Sequence, residues 1–122
     1  MIINEMVKKE ELKTMYDKRK SFYKKAYIEY YIEWSELHSK LTKLKLYSYN
    51  TLVCTIEYVN TTERFYHLHN MELFSQTTLR HIKEFLLQLF YCKNIKLTKK
   101  DILNNRGSKY DIKKGVFIPL PF

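Results

Sequence analysis

The segment "ERFYHLHN" (Glu63–Asn70) places two histidines two residues apart. In an extended chain such positions project from one face, so His67 and His69 can reach a single ion. Upstream, "TLVCTIEYV" (Thr51–Val59) alternates and is rich in β-branched residues, and Asn60, Thr61 and Thr62 join the two runs. The pattern predicts an antiparallel hairpin. A short loop at Thr61–Thr62 sets Cys54 opposite His69 and Ile56 opposite His67, and Cys54, His67 and His69 then share a face. Imidazole and thiolate are preferred zinc ligands, with His38, His81 or Cys92 as sources of a fourth. A register one residue away carries Cys54 to the other face and dissolves the cluster. Two readings therefore stand: a zinc site, or a strand whose histidines cover a half-exposed sheet face. No CxxC or HExxH spacing supports the first.

Catalytic chemistry finds little support. Both glycines, Gly107 and Gly115, lie near the end of the chain. A Gly-rich phosphate loop and a nucleophile elbow both need glycine where the backbone turns sharply or meets phosphate, which excludes ATPase, Rossmann and α/β-hydrolase readings. No acidic pair suggests a general base and no serine stands out as a nucleophile. His81 reads as a helix-surface residue holding the adjacent loop. The chain is expected to be non-enzymatic. Tight turns before Gly107 must rely on Asn50, Asn60 and Asn70, which tolerate positive φ better than most residues.

The charge of +9 is uneven. Residues 1–25 hold eight basic and four acidic side chains, and residues 93–122 eight and two, while the middle is nearly neutral. A positive field favours anionic partners, nucleic acid or an acidic protein surface. The candidate contacts are Lys18, Arg19, Lys24, Lys25, Lys96, Lys99, Lys100, Arg106, Lys113 and Lys114. In "SFYKKAYIEYY" tyrosine is mixed with lysine, where rings can stack on bases while ammonium groups meet phosphate. Two cysteines make no disulfide framework, no signal-peptide pattern precedes the first charges, and no apolar run approaches a bilayer-spanning length. A cytoplasmic location without a membrane partner is expected.

The elements that must position these residues read as α+β. Leu12, Met15, Tyr16, Tyr23, Ala26, Tyr27, Tyr30, Trp34 and Leu37 recur at three- and four-residue steps, predicting a long N-terminal helix or helical hairpin over residues 1–40. Unbroken from about Asn4 to Ser39, it would be roughly 50 Å long, and Ile28 and Ile32 on its back suggest a homodimer through it. Residues 44–92 read as strands, with "KLYSYN" as a further strand, then a helix over "SQTTLRHIKEFLLQLFYC" capped by Ser75, Thr77 or Thr78. A small antiparallel sheet of two to four strands would pack on that helix through Leu79, Ile82, Leu86, Leu89 and Phe90. Residues 93–122 form a basic segment with a helical turn near Thr98 and an apolar tail, "KGVFIPLPF", that docks on the body of this single domain.

Two stretches, "LYSYNTLVCTIEY" and "FSQTTLRHIKEFLLQ", resemble a family of small proteins from phages and mobile elements of low-GC Gram-positive bacteria. Its members show a "SYNTxV" strand and an "SxTTxRHIxEFLxQ" helix start. The matching positions are Ser48, Tyr49, Asn50, Thr51 and Val53, then Ser75, Thr77, Thr78, Arg80, His81, Ile82, Glu84, Phe85, Leu86 and Gln88. The resemblance implies an accessory protein that binds host machinery stoichiometrically, with an anti-CRISPR inhibitor of an RNA-guided DNA nuclease as the leading expectation. The target would be the CRISPR effector or its guide-RNA complex. A basic nucleic-acid-binding accessory protein is the alternative.

Overall fold

The computed structural model describes residues 3–15, 17–18, 20–58, 63–90, 99–104, 109–111 and 116–118. The strands are β1 (Ile3–Glu11), β2 (Ala26–Trp34), β3 (Ser39–Ser48), β4 (Thr51–Tyr58), β5 (Glu63–Leu68), β6 (Lys109–Asp111) and β7 (Val116–Ile118). They form one antiparallel sheet in chain order, five substantial strands followed by two of three residues. Helix α1 (Gln76–Phe90) lies on one face, and a short α2 (Lys99–Asn104) packs beside it.

The expected N-terminal helix is absent, which corrects the α+β assignment to a mostly β fold with one long helix. Residues 1–40 instead supply β1, a loop, β2 and the start of β3. "AYIEYYIEW" alternates: Ala26, Ile28 and Tyr30 point to the covered face, whereas Tyr27, Glu29 and Tyr31 point away. Tyrosines on both faces conceal that period of two, and Tyr and Ile at adjacent positions are strong strand formers. Ile28 belongs to the core, so the argument for a homodimer through an N-terminal helix loses its basis.

The core lies between the inner sheet face and α1. Leu44, Leu46, Cys54, Ile56 and Tyr66 meet Ile82, Phe85 and Leu86, with Ile102 of α2 closing one end. Each such side chain contributes about 1.5–3 kcal/mol on burial. The Tyr66 hydroxyl donates to the Ile102 carbonyl at 3.0 Å, which satisfies its one polar atom. A bulge at Val53 lets both Val53 and Cys54 turn inward. Ser75 caps α1 as expected, its Oγ accepting the Thr78 N–H at 3.0 Å.

The near-absence of glycine is met by left-handed turns at other residues. Tyr49 and Asn50, at φ 51° and 66°, close β3 onto β4, and Asn70 is left-handed at φ 56°. Asn60 and the tail beyond Ile118 lie outside the described residues, as does the segment before Lys99. Among the described residues no helix is long and apolar enough to cross a membrane.

Candidate functional site

Residues 12–25 separate β1 from β2, and the described ones form a loop whose ends meet where the Leu12 N–H donates to the Ala26 carbonyl at 2.9 Å. Leu12 and Phe22 plunge into the core at 1 % and 3 % exposure and anchor the loop at both ends. Its basic side chains face outward: Lys13, Lys18, Lys20, Lys24 and Lys25 are exposed. Arg19, within the same run, lies outside the described residues. Asp17 is the loop's acidic residue past Glu11, and it is paired with Arg80.

One row of polar residues on α1 holds this loop down. Arg80, Glu84 and Gln88 recur every fourth position and so lie along one stripe. Arg80 grips the Asp17 carboxylate with two bonds, Nη2 to Oδ1 at 2.7 Å and Nε to Oδ2 at 3.1 Å. That contact favours the charged guanidinium and raises its pKa against a smaller opposing effect of burial. Glu84, buried at 1 % exposure, accepts the backbone N–H of Met15 at 3.0 Å and of Asp17 at 2.7 Å through Oε1. Gln88 donates from Nε2 to Glu84 Oε2 at 2.8 Å and to the Lys13 carbonyl at 2.7 Å. Hydrogen bonds to a buried carboxylate offset the desolvation that would otherwise forbid it.

The far end of the loop is a tight turn over Phe22–Lys25, closed by the Lys25 N–H on the Phe22 carbonyl at 3.0 Å. Tyr23 and Lys24 occupy the left-handed region, at φ 52° and 62°. For a residue with a Cβ that conformation costs about 1–2 kcal/mol. Beside it runs the β3–β4 turn, joined by the Tyr49 N–H donating to the Lys25 carbonyl at 2.9 Å. Together the two turns present Tyr23 at 72 % exposure and Tyr49 at 48 %, with the Lys25 ammonium 5.5 Å from the Tyr49 ring centre. Two strained turns displaying two rings among lysines are an outlier of the kind that accumulates at functional sites.

A buried polar cluster supports these turns from beneath. Ser48 Oγ lies 2.8 Å from His81 Nδ1 and 3.1 Å from Thr78 Oγ1. The His81 ring meets Phe22 edge-on at 4.5 Å and Tyr49 at 5.8 Å. His81 is therefore core, at 1 % exposure, and not the helix-surface residue expected, although it does brace the adjacent loop. Of the motif residues, Ser48, Thr78 and His81 form this cluster, Tyr49 and Asn50 the turn, and Arg80 a pin; Thr77 is half-buried at the helix start.

The proposed metal ligands are not brought together. Cys54 pairs with Leu68 and Thr55 with His67, one residue from the register that would align the three. Cys54 consequently points into the core, where burial pushes its thiol pKa far up, while His67 lies on the outer face. His69 Nε2 sits 2.8 Å from Thr55 Oγ1, and burial first, then the charges of His67 and Lys45, lower its pKa. Among the described residues no group of three or more His, Cys, Asp or Glu could hold a metal ion.

The rest of the outer face carries Tyr27, Tyr31 and Tyr47 with several lysines, but most of its lysines stand opposite a glutamate. Glu29 stands across from Lys9 and Lys45, Glu33 from Lys40, and Glu57 from Lys43. Cross-strand pairing of this kind suits a solvated face. Of the C-terminal candidates, Lys100 is exposed on α2, and Lys99 opens that helix. Lys96, Arg106, Lys113 and Lys114 lie outside the described residues. Lys18, Lys24 and Lys25 are thus gathered on one loop, and Lys20, which is not among the candidates drawn from charge patterning, joins them.

These elements define an antiparallel meander backed by one helix, with a basic loop strapped to that helix. The chain belongs to DUF8033, a family of unknown function whose model matches residues 10–105 and so includes the loop, its pins and both turns. No curated protein and no solved structure matches it.

Proposed function

We propose that the protein binds single-stranded nucleic acid through the 12–25 loop and the neighbouring Tyr49 turn, without covalent chemistry. The observation that carries this reading is the pair of exposed rings, Tyr23 and Tyr49, set in adjoining left-handed turns beside Lys24 and Lys25, on a loop that also exposes Lys18 and Lys20. Lysines neutralise phosphates and release counterions, and unpaired bases stack on exposed rings at about 1–3 kcal/mol each. Duplex bases are already stacked, which favours a single strand. The serine and histidine closest to a nucleophile–base pair, Ser48 and His81, are sealed in the core and serve packing.

Labelled oligo(dT) and oligo(U) titrated with the protein at several salt concentrations test the reading. Four phosphate contacts on a single strand give a slope of roughly −3 in log K against log salt. Binding that is absent at low salt, or insensitive to it, counts against the proposal. Inhibition of an RNA-guided nuclease is the second reading. It draws on the motif resemblance, and the same lysines and rings would there meet guide RNA. Suppressed cutting by a purified effector, without affinity for free oligonucleotide, would favour it.

A further inference from the structure

We infer that Arg80, Glu84 and Gln88 act as a latch whose closure sets the affinity of the loop for a single strand, an inference that rests on the reading above. Asp17 is the decisive residue. Its carboxylate holds Arg80, its backbone N–H enters Glu84, and it immediately precedes Lys18 in the chain. Three consecutive helical turns thereby fix three loop positions, Asp17, Met15 and Lys13. Inside the loop, Thr14 Oγ1 donates to the Lys20 carbonyl at 2.8 Å, and the Ser21 hydroxyl oxygen accepts the Tyr23 N–H at 2.9 Å. At its far end the Lys24 N–H reaches Glu11 at 2.7 Å. The described part of the loop is therefore pinned at several points before any ligand arrives. A preordered loop binds more tightly than a loose one because the ordering cost is already met in the free protein.

Charge and order make opposite predictions for one substitution. Asp17→Asn removes a negative charge from a cationic loop and frees the Arg80 guanidinium, so attraction for phosphate rises. It also opens the latch, so the lysines lose their fixed arrangement. The latch predicts that Asp17→Asn binds oligo(dT) at least threefold more weakly than the native protein at equal salt. Gln88→Leu changes no charge but releases Lys13, and is expected to weaken binding at least twofold.

Both variants are to be followed by amide hydrogen exchange. Faster exchange at Met15 and residue 17, with the β3 and β4 amides unchanged, shows loop release within a folded protein. Equal or tighter binding by Asp17→Asn overturns the latch, as does weaker binding without faster loop exchange. A native protein that fails to bind oligo(dT) overturns the parent reading instead, and the inference with it.

Discussion

The Tyr49 N–H donates to the Lys25 carbonyl at 2.9 Å, and this bond fixes the β3–β4 turn against the turn that ends the basic loop. Two segments distant in sequence thereby present one surface. Their left-handed residues, Tyr23, Lys24, Tyr49 and Asn50, include three whose side chains make the conformation costly. Such a cost persists only where the surrounding structure holds the strained residues in place.

Relieving the strain should therefore separate stability from binding. Lys24→Gly and Tyr23→Asn suit positive φ and are expected to raise unfolding free energy by about 1 kcal/mol. Tyr23→Asn should at the same time weaken oligonucleotide binding, by up to tenfold if the ring stacks on a base. Urea denaturation and anisotropy titration of the same samples check both halves.

Glu84 should matter more to folding than most charged residues. Glu84→Ala strips the acceptor from the amides of Met15 and Asp17 and from Gln88, at an expected cost of about 2–3 kcal/mol. Thermal or urea unfolding measures it. A loss below about 0.5 kcal/mol would mean that the loop is not held as described.

Acidification tests the His69 environment. Its folded pKa is lowered from the ordinary 6.5, so the unfolded chain binds more protons there. Stability contributed at His69 is then present above pH 6.5 and is lost as the pH falls through the lowered folded value. Glu10, held low first by its bond from the Tyr30 hydroxyl and then by Lys8, acts in the same direction but below its ordinary 4.5. Replacing His69 with Gln should flatten the urea midpoint between about pH 5 and 7 and leave the more acidic slope in place.

Cys54 offers a direct check on the strand register. Sealed in the core with a raised pKa, it should react with a thiol reagent only at the rate of global unfolding. A Cys92→Ala background isolates it. Rapid labelling under native conditions, or protection by added zinc, would restore the histidine-face register.

Much of the later fold is legible in the sequence. "TLVCTIEY", "ERFYHL" and the Ser75-capped helix carry β-branched or periodic patterns and a side-chain cap, and they form the strands and the helix those patterns indicate, with a bulge at Val53 that the alternation does not foretell. The N-terminal strands are not legible because tyrosine satisfies either face, so a strand with Tyr27, Tyr30 and Tyr31 imitates a helical stripe. Register is harder still: the pairing of β4 with β5 differs from the expected one by a single residue, and that alone moves Cys54 from beside the histidines to the core. In the site, the lysines are readable as charge, but the latch is not. Arg80, Glu84 and Gln88 show an i, i+4, i+8 spacing in "RHIKEFLLQ" that resembles an ordinary solvated helix face. Only the fold reveals that a loop more than sixty residues upstream lies on it.

In the proposed complex, exposed rings in strained turns and the lysines around them hold a single strand. Anisotropy of labelled oligo(dT) across a salt series, for the native protein and a Tyr23→Ala, Tyr49→Ala double variant, tests it most directly. Salt-sensitive native binding is expected, with a loss of at least tenfold in the variant and a salt slope unchanged because the lysines remain. Equal affinity of the two proteins, or no native binding at low salt, would contradict it.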